Sequence, residues 1–231
     1  MANIAIITAR GGSKRIPGKN IREFSDKPIM VYSIESALSS NLFDEVMVST
    51  DNEEIAKIAE AHGAQVPFFR SAKNSDDHAT TFDVLEEVLN SYAKRNKTFE
   101  YGCCLYPTSP FTRSSLLKRS FDKLVEERLD VVFPAIKYSY PIQRALKIDA
   151  HGRATMVEPE HLNTRTQDLE MRYHDAGQFY WFKTSKLLET KSLWTENTGI
   201  IEIDEMECQD IDNEIDWEIA ELKYKLVKRR E

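Results

Sequence analysis

The stretch IAIITARGGSKRIPGKN, residues 4–20, decides the fold. It begins with an all-apolar run at 4–7 and passes directly into a glycine-rich loop that carries Arg10, Lys14 and Lys19. A short run that is apolar at every position is typical of a strand buried on both faces, and such strands belong to parallel sheets. Open α/β sheets bind ligands beyond the carboxyl ends of their strands, so the loop marks the expected site.

Apolar runs and amphipathic patterns alternate outward from this stretch. In the helix predicted at 53–62, Asp51 can cap the free amides, Glu54 can complete a capping box and Gly63 can provide a left-handed exit. The β-α-β-α order predicts a three-layer α/β/α sandwich around a mostly parallel, Rossmann-like sheet. Its other predicted elements are strands at 46–48, 101–106 and 131–133, helices at 29–38 and 82–92, and a helical stripe at 116–125.

The alternation breaks in the second half of the chain. Residues 144–157 predict two short strands around an Asp-Ala-His-Gly turn, followed by a polar stretch to Asp175. Insertions of this kind often shape a substrate site. Strands are predicted again at 179–182 and 199–203, and a final helix from Ile215. We therefore predict one domain, 1–231, with an inserted hairpin and dimerisation region at about 138–175.

Composition narrows the class of protein. The 231 residues carry a net charge of −7, with basic side chains concentrated at 10–22, which favours a small phosphorylated ligand over a nucleic acid. Three cysteines, at 103, 104 and 208, form neither a CxxC site nor a disulfide framework, which favours a reducing compartment. No export signal is visible and no apolar run approaches the ~20 residues of a membrane span. We therefore expect a cytoplasmic protein without a membrane partner.

The glycine-rich loop has the chemistry of a phosphate site. Gly11 and Gly12 let the backbone approach a ligand, and successive amides together with the neighbouring lysines can face phosphate oxygens. The loop lacks the GxGxxG spacing, and it fails Walker A because five residues separate Gly12 from Gly18 and Asn20 follows Lys19. A solvated turn is the alternative interpretation. The position of the loop after the first strand favours ligand binding.

Five blocks carry a family resemblance. ARGGSKRIPGKN at 9–20 resembles the signature loop of the CMP-sialic acid synthetase-like cytidylyltransferases. RSAKNSDD at 70–77, PTSP at 107–110, RTQD at 165–168 and DID at 210–212 follow in the family's order and cover nearly the whole chain. The resemblance implies a fold of the nucleotide-diphospho-sugar transferase type. It also implies attack by the anomeric hydroxyl of a nonulosonic acid on the α-phosphate of CTP, with release of pyrophosphate.

Two further blocks indicate the branch of the family. YPIQRAL at 140–146 and YHDAGQFYW at 173–181 resemble the branch that activates pseudaminic acid for surface glycans. Tyr106 stands where the sialate branch usually has Gln, which disfavours Neu5Ac. Neu5Ac and legionaminic acid stay as alternatives, and Kdo is the least favoured sugar. A non-catalytic nucleotide-binding protein is the alternative from a different class.

The resemblance also implies residue roles on the nucleotide side. Lys14 and Lys19 would act catalytically by countering charge on the departing pyrophosphate. The family position near the cytidine falls on Thr80 or Thr81. The full expected nucleotide-binding set is Thr8, Ala9, Arg10, Gly11, Gly12, Ser13, Lys14, Lys19, Asn20, Arg70, Thr80, Thr81 and Pro107.

On the sugar side, the resemblance implies that Arg165 pairs with the sugar carboxylate through its planar fork. Phe179 and Tyr180 have core packing as an equal alternative. A homodimer is expected, with 144–157 reaching the partner's sugar site. The full expected sugar-binding set is Tyr106, Arg165, Gln167, Asp175, Gln178, Phe179 and Tyr180.

Asp210 and Asp212 complete the expected site. In an extended segment, alternate residues point to the same side, so both carboxylates can face one cation. Mg²⁺ typically uses one or two carboxylates together with substrate phosphates. We therefore predict Asp210 and Asp212 as catalytic Mg²⁺ ligands. The alternative for Asp212 is capping of the last helix.

Overall fold

The fold is taken from a computed structural model, which describes residues 2–229. Its elements follow the alternation predicted from the apolar runs, with most boundaries within two residues. In chain order they are β1 (Asn3–Thr8), β2 (Glu23–Phe24), β3 (Lys27–Pro28), α1 (Ile29–Ser40), β4 (Glu45–Ser49), α2 (Glu53–Ala61), α3 (Thr81–Ala93), β5 (Tyr101–Leu105), α4 (Ser114–Glu126), β6 (Val131–Lys137), β7 (Leu146–Ile148), β8 (Ala154–Met156), β9 (Tyr173–Asp175), β10 (Phe179–Lys183), α5 (Thr184–Thr190), β11 (Thr198–Glu202) and α6 (Glu214–Lys228).

One seven-stranded sheet organises the chain. Its order is β11-β6-β10-β5-β1-β4, and β9 pairs with β6. β1 is parallel to β4 and β5, and β6 is parallel to β11. β10 runs antiparallel to both β5 and β6, so those two strands point the same way. The mostly parallel sheet is confirmed, and the carboxyl ends of β4, β1, β5 and β6 share one edge, the carboxyl edge.

Helices cover both faces of the sheet, which confirms the three-layer prediction. Alternate residues of β1 face opposite sides. Ala5 and Ile7 pack in a buried cluster with residues of α1, α2 and α4. Ile4 and Ile6 pack in a second cluster with residues of α3 and α5. All four side chains are fully buried, as expected for a strand between two helical layers.

A third buried cluster lies beneath α6. Trp217 of α6 packs there with Ile16, from the glycine-rich loop, and with Ile211, which lies between Asp210 and Asp212. Trp217 and Ala220 are the buried residues of the helix. The predicted final helix is confirmed, and its Ile219, Leu222 and Leu226 lie on the exposed side.

The cap of α2 differs from the prediction. Asn52, not Asp51, is the N-cap, and its Oδ1 accepts hydrogen bonds from the amides of Glu54 at 2.8 Å and Ile55 at 3.0 Å. The Asp51 carboxylate instead accepts a 2.8 Å bond from the amide of Gly11. Either residue type can cap a helix, and the engagement with the glycine-rich loop decides between them. Gly63 has φ +89°, as predicted for the exit.

The excursion after β6 forms the predicted hairpin. β7 and β8 pair antiparallel, from Leu146 opposite Met156 to Ile148 opposite Ala154. Buried Gln143 attaches the region through a 2.7 Å bond to the carbonyl of Glu170. Among residues 2–229, no helix combines the length and apolar character needed to span a membrane.

Candidate active site

Three cavities follow one another along the carboxyl edge. The β4-side cavity, about 210 Å³, lies beside Arg70, Thr80 and Thr81. The central cavity, about 420 Å³, shares Thr8, Arg10 and Asp77 with it. The β6-side cavity, about 420 Å³, is lined by Ile136, His174, Asp175, Ala176, Gly177, Glu205, Cys208, Gln209, Asp210 and Lys223. The central cavity is lined by Thr8, Arg10, Ser13, Lys14, Arg15, Lys19, Asn20, Asp77, Tyr106, Pro107 and Thr108.

Backbone hydrogen bonds fix the first half of the glycine-rich loop. The Ala9 amide donates to the Ser49 carbonyl at 3.0 Å, and buried Asn20 donates to the Arg10 carbonyl at 2.9 Å. A Cβ on Gly11 would come within 3.0 Å of Asn52, whereas Gly12 faces open space. A side chain at position 11 would therefore crowd Asn52, the N-cap of α2. Of the two glycines, Gly12 leaves the backbone open to a ligand.

The basic side chains of the loop already face oxygen atoms. Arg10 Nη1 lies 3.0 Å from Asp77 Oδ1, and Lys14 forms an ion pair with Asp77 Oδ2. Arg15 Nη1 lies 2.7 Å from Asp212 Oδ2. Asp77 and Arg15 are absent from the predicted set, although both fall within the quoted blocks. The signal that could have identified them is charge complementarity, of Asp77 with the basic loop and of Arg15 with the predicted metal carboxylates.

Lys19 connects the loop to the predicted metal carboxylates. Its Nζ donates a 2.7 Å hydrogen bond to the carbonyl of Ile211, between Asp210 and Asp212. Burial lowers the pKa of Lys19, and the nearby Asp212 carboxylate opposes that shift. A partly buried ammonium in this position exerts a stronger field on a bound phosphate than an exposed one.

The chemistry of Asp210 and Asp212 fits a hard divalent cation. Burial raises the pKa of Asp210, and the negative charge of Asp212 raises it further. Two neighbouring carboxylates repel each other, and a divalent cation relieves that repulsion. Helix capping is not the role of Asp212, because Asn213 is the N-cap of α6. Asp210 and Asp212 therefore stay the predicted ligands of a metal ion.

The β4-side cavity contains the predicted residues around the nucleoside. Arg70 is 8 % exposed and binds Ser49 twice, from Nε to Oγ at 3.0 Å and from Nη2 to the carbonyl at 2.6 Å. Burial lowers the pKa of Arg70. The Thr80 hydroxyl is engaged with Asp83 in the capping box of α3, whereas the Thr81 hydroxyl interacts with Tyr106. Both hydroxyls therefore already have a partner, and both threonines line the cavity.

Three of the predicted sugar-side residues form a chain of contacts that ends at the β6-side cavity. Asp175 lines it and accepts a hydrogen bond from the Tyr180 hydroxyl. The Tyr180 ring packs edge-on against Tyr106, which lines the central cavity, at 5.7 Å between centroids. Burial raises the pKa of both tyrosines. Both phenols are therefore neutral at physiological pH and act as hydrogen-bonding groups.

Other predicted sugar-side residues lie elsewhere. Phe179 is fully buried in the core, which corrects its assignment to the sugar, and Gln178 is 2 % exposed and donates to the Glu207 carbonyl at 2.6 Å. Gln167 lines a separate cavity of about 320 Å³ beneath the insertion. Arg165 is exposed and pairs with Asp168 at 2.9 Å. A single chain therefore does not bring Arg165 or Gln167 to the β6-side cavity, within residues 2–229.

The chain belongs to the cytidylyltransferase family, a class of nucleotidyltransferases, and the sequence profile of that family matches residues 4–220. It is 38 % identical to the pseudaminic acid cytidylyltransferase of Campylobacter jejuni, over 98 % of this chain and 97 % of that protein. It is 32 % identical to the CMP-N,N'-diacetyllegionaminic acid synthase of Legionella pneumophila, over 96 % and 95 %. The predicted family is thus confirmed.

The fold is also shared with a solved structure of a CMP:2-keto-3-deoxy-manno-octonic acid synthetase. The two superpose with a TM-score of 0.71, covering 99 % of this chain and 100 % of the other at 17 % sequence identity. At that identity the likeness supports the architecture, and it agrees with the three-layer prediction.

Proposed function

We propose that this chain is an enzyme that transfers CMP from CTP to pseudaminic acid and releases pyrophosphate. The observation that carries the proposal is the end-to-end identity of 38 % with a pseudaminic acid cytidylyltransferase. The row of three cavities along the carboxyl edge supports it. The product would supply the biosynthesis of surface glycans.

The cavities suggest an order for the substrates. Cytidine would occupy the β4-side cavity beside Arg70 and Thr81. The triphosphate would lie in the central cavity among the basic side chains of the loop. The sugar would enter from the β6-side cavity, which contains both Asp175 and Asp210. This order brings the anomeric hydroxyl to the α-phosphate at the boundary between the central and β6-side cavities.

The nucleophile belongs to the substrate, so the protein contributes alignment and charge. As the anomeric oxygen bonds to the α-phosphorus and its proton passes to solvent, the bond between the α-phosphorus and the bridging oxygen breaks, and pyrophosphate leaves with that oxygen. Lys14 and Lys19 counter the charge that builds on the leaving pyrophosphate. Enzymes of this kind generally use a divalent metal, and we assign Asp210 and Asp212 to Mg²⁺. Bound there, Mg²⁺ would neutralise phosphate charge.

Diacetyllegionaminic acid is a second candidate sugar, because of one specific relative. The L. pneumophila relative is named for diacetyllegionaminic acid and matches almost as much of the chain. Neu5Ac is less favoured, because Tyr106 replaces the Gln that is usual in the sialate branch. A non-catalytic binding protein is disfavoured, because Lys19 directly contacts the segment of the two metal carboxylates.

The remaining proposals concern assembly and location. We infer a single domain whose region at about 138–175 mediates a homodimer, because its Tyr140, Leu146 and Ile148 are 62–86 % exposed although apolar or aromatic. Arg165 would then act in the partner's site.

We propose a cytoplasmic location, in agreement with the three free, buried cysteines.

The test is pyrophosphate release from CTP with purified protein. Pseudaminic acid, N,N'-diacetyllegionaminic acid, Neu5Ac and Kdo are compared in parallel, each with Mg²⁺ and with a chelator. Turnover with pseudaminic acid that requires metal is the expected result. Turnover with another of the sugars would move the assignment to that branch. Binding of CTP without turnover on any sugar would overturn the enzymatic proposal.

A further inference from the structure

Asp77 faces the phosphate-binding cations from the opposite wall. It lines both the central and the β4-side cavities. Its two carboxylate oxygens are divided between two cations, with Oδ1 at 3.0 Å from Arg10 and Oδ2 paired with Lys14. Hydrogen bonds from Lys14 and Arg10 lower the pKa of Asp77. The carboxylate is therefore ionised at neutral pH and touches the same two side chains that a triphosphate needs.

The segment that carries Asp77 is firmly attached. Asp76 Oδ1 accepts bonds of 2.8 Å from the amides of His78 and Ala79, which closes a tight turn around Asp77. The carbonyl of Asp76 accepts a further 2.8 Å bond from Arg10. Upstream, Asn74 donates to the Asp83 carbonyl at 3.1 Å on α3. The carboxylate is thus presented from a hydrogen-bonded turn.

Arg10 makes two different kinds of contact with this turn. Its 2.8 Å bond to the Asp76 carbonyl uses a backbone acceptor and not the charge at position 77. The ion pair with Asp77 contributes charge neutralisation. We therefore expect Arg10 to stay in place when the charge at Asp77 is removed. The positive charge of Arg10 is then free to pair with another anion.

We propose that Asp77 is a positioning residue that competes with polyphosphate for Arg10 and Lys14. It pairs with both cations when the central cavity lacks phosphate, yields them to the triphosphate, and pairs with them again as pyrophosphate leaves. The inference rests on the proposed function, since it assumes that the central cavity takes the triphosphate.

The charges make this exchange feasible in both directions. The side chains of Asp77 and Lys14 are 42 % and 78 % exposed, and exposed ion pairs are weak and screened by salt. A polyphosphate carries several negative charges and displaces a single carboxylate. Because the carboxylate stays on the cavity wall, it repels the bound anion and assists the departure of pyrophosphate.

The experiment measures binding of inorganic pyrophosphate, and of CTP without sugar, by calorimetry. Wild type is compared with Asp77→Asn, which keeps the shape and removes the charge, at about 0.05 M and 0.5 M NaCl. Asp77→Asn is expected to bind pyrophosphate about three- to tenfold more tightly at low salt, with a smaller difference at high salt. In steady-state assays, pyrophosphate should become a correspondingly stronger inhibitor against CTP.

Matched variants separate competition from structure. Asp77→Glu restores the charge and should restore wild-type affinity. Asp122→Asn removes the same charge from an exposed pair with Lys118 on α4 and should change nothing. If Asp77→Asn fails to fold, Asp77→Ser makes the same electrostatic test at this exposed position.

The outcomes distinguish the inference from the proposed function. Equal or weaker pyrophosphate binding by Asp77→Asn, with wild type turning over CTP normally, would overturn the role of Asp77 alone. Failure of wild type to bind pyrophosphate or to turn over any sugar would instead remove the proposed function. Tighter binding that persists unchanged at high salt would also contradict the electrostatic competition.

Discussion

The ammonium of Lys19 lies 2.7 Å from the carbonyl oxygen of Ile211, which joins the glycine-rich loop to the Asp210–Asp212 segment across 192 positions of sequence. Replacing Lys19 with Gln removes the charge that we assign to the transition state. We expect kcat to fall by about 10²–10³, the range for a lost charge-stabilising donor. The measurement is steady-state pyrophosphate release, with Lys118→Gln on exposed α4 as the matched control. An unchanged kcat would place Lys19 in a structural role.

Asp210→Ala tests the metal assignment. We expect turnover to fall much more than CTP affinity, since the ion acts mainly on charge that develops during the reaction. Mn²⁺ binding, followed by paramagnetic resonance, should weaken in parallel, which gives a readout independent of activity. Glu218→Gln, exposed on α6, is the charge control. Equal losses in kcat and CTP affinity would point to ground-state binding.

Tyr106→Gln tests the sugar preference. The side chain lines the central cavity and contacts Thr81 and Tyr180. We expect a rise in the KM for pseudaminic acid of about tenfold, as for loss of one specific contact, and a smaller change for CTP. Tyr106→Phe keeps the ring and serves as the control. A larger effect on the KM for CTP would move Tyr106 to the nucleotide side.

The capping box of α3 predicts a pH effect on stability. The hydrogen bond from the Thr80 hydroxyl lowers the pKa of Asp83, so the folded state favours the ionised form. This stabilisation is complete above the ordinary carboxyl pKa of 3.8 and is lost as pH falls through the lowered pKa of the folded state. The Tm advantage of wild type over Asp83→Asn should therefore be constant near neutral pH and shrink below about pH 4.

Thr80→Ala removes the other half of the same box and should lower Tm by about 2–4 °C. The measurement is thermal unfolding across pH, with Thr98→Ala as a control outside the cap. If the Tm difference between wild type and Asp83→Asn grows as pH falls, the predicted direction of the pH effect is wrong.

The exposed hairpin predicts assembly. Leu146 and Ile148 are 62 % and 72 % exposed on β7, and charged residues there would disrupt an apolar interface. Light scattering should report a dimer for wild type and a monomer for Leu146→Asp/Ile148→Asp. Lys147→Asp, on the alternate face of the strand, is the matched control. A wild-type monomer with full activity would refute the shared site.

The sequence predicts the layered sheet because buried strands and amphipathic helices have different apolar periods. It leaves the antiparallel direction of β10 open, since the run at 179–182 is apolar on both faces in either direction. Adjacent Asp51 and Asn52 can both cap α2, and the choice depends on Gly11, 40 positions away. Such long-range contacts are not encoded in local pattern.

In the candidate site, too, only features that are local in the sequence can be predicted. The glycine-rich loop is such a feature, because its glycines and cations are contiguous. The Asp77 pair with Arg10 and Lys14 requires the turn at 76–79 to meet the loop in space. The sequence leaves Phe179 open between the sugar site and the core, and the structure buries it in the core because β10 is covered on both faces.

The shared cluster beneath α6 makes the C-terminal helix part of the machinery. Trp217 packs with both Ile16 and Ile211, so one side chain supports the glycine-rich loop and the Asp210–Asp212 segment together. A chain ending at 213 would retain every residue proposed to touch a substrate and lose this support. Substitutions in α6 can therefore change the activity of a homologue although this helix contacts no ligand. Directed evolution of the enzyme can act on the same helix, away from the sugar site.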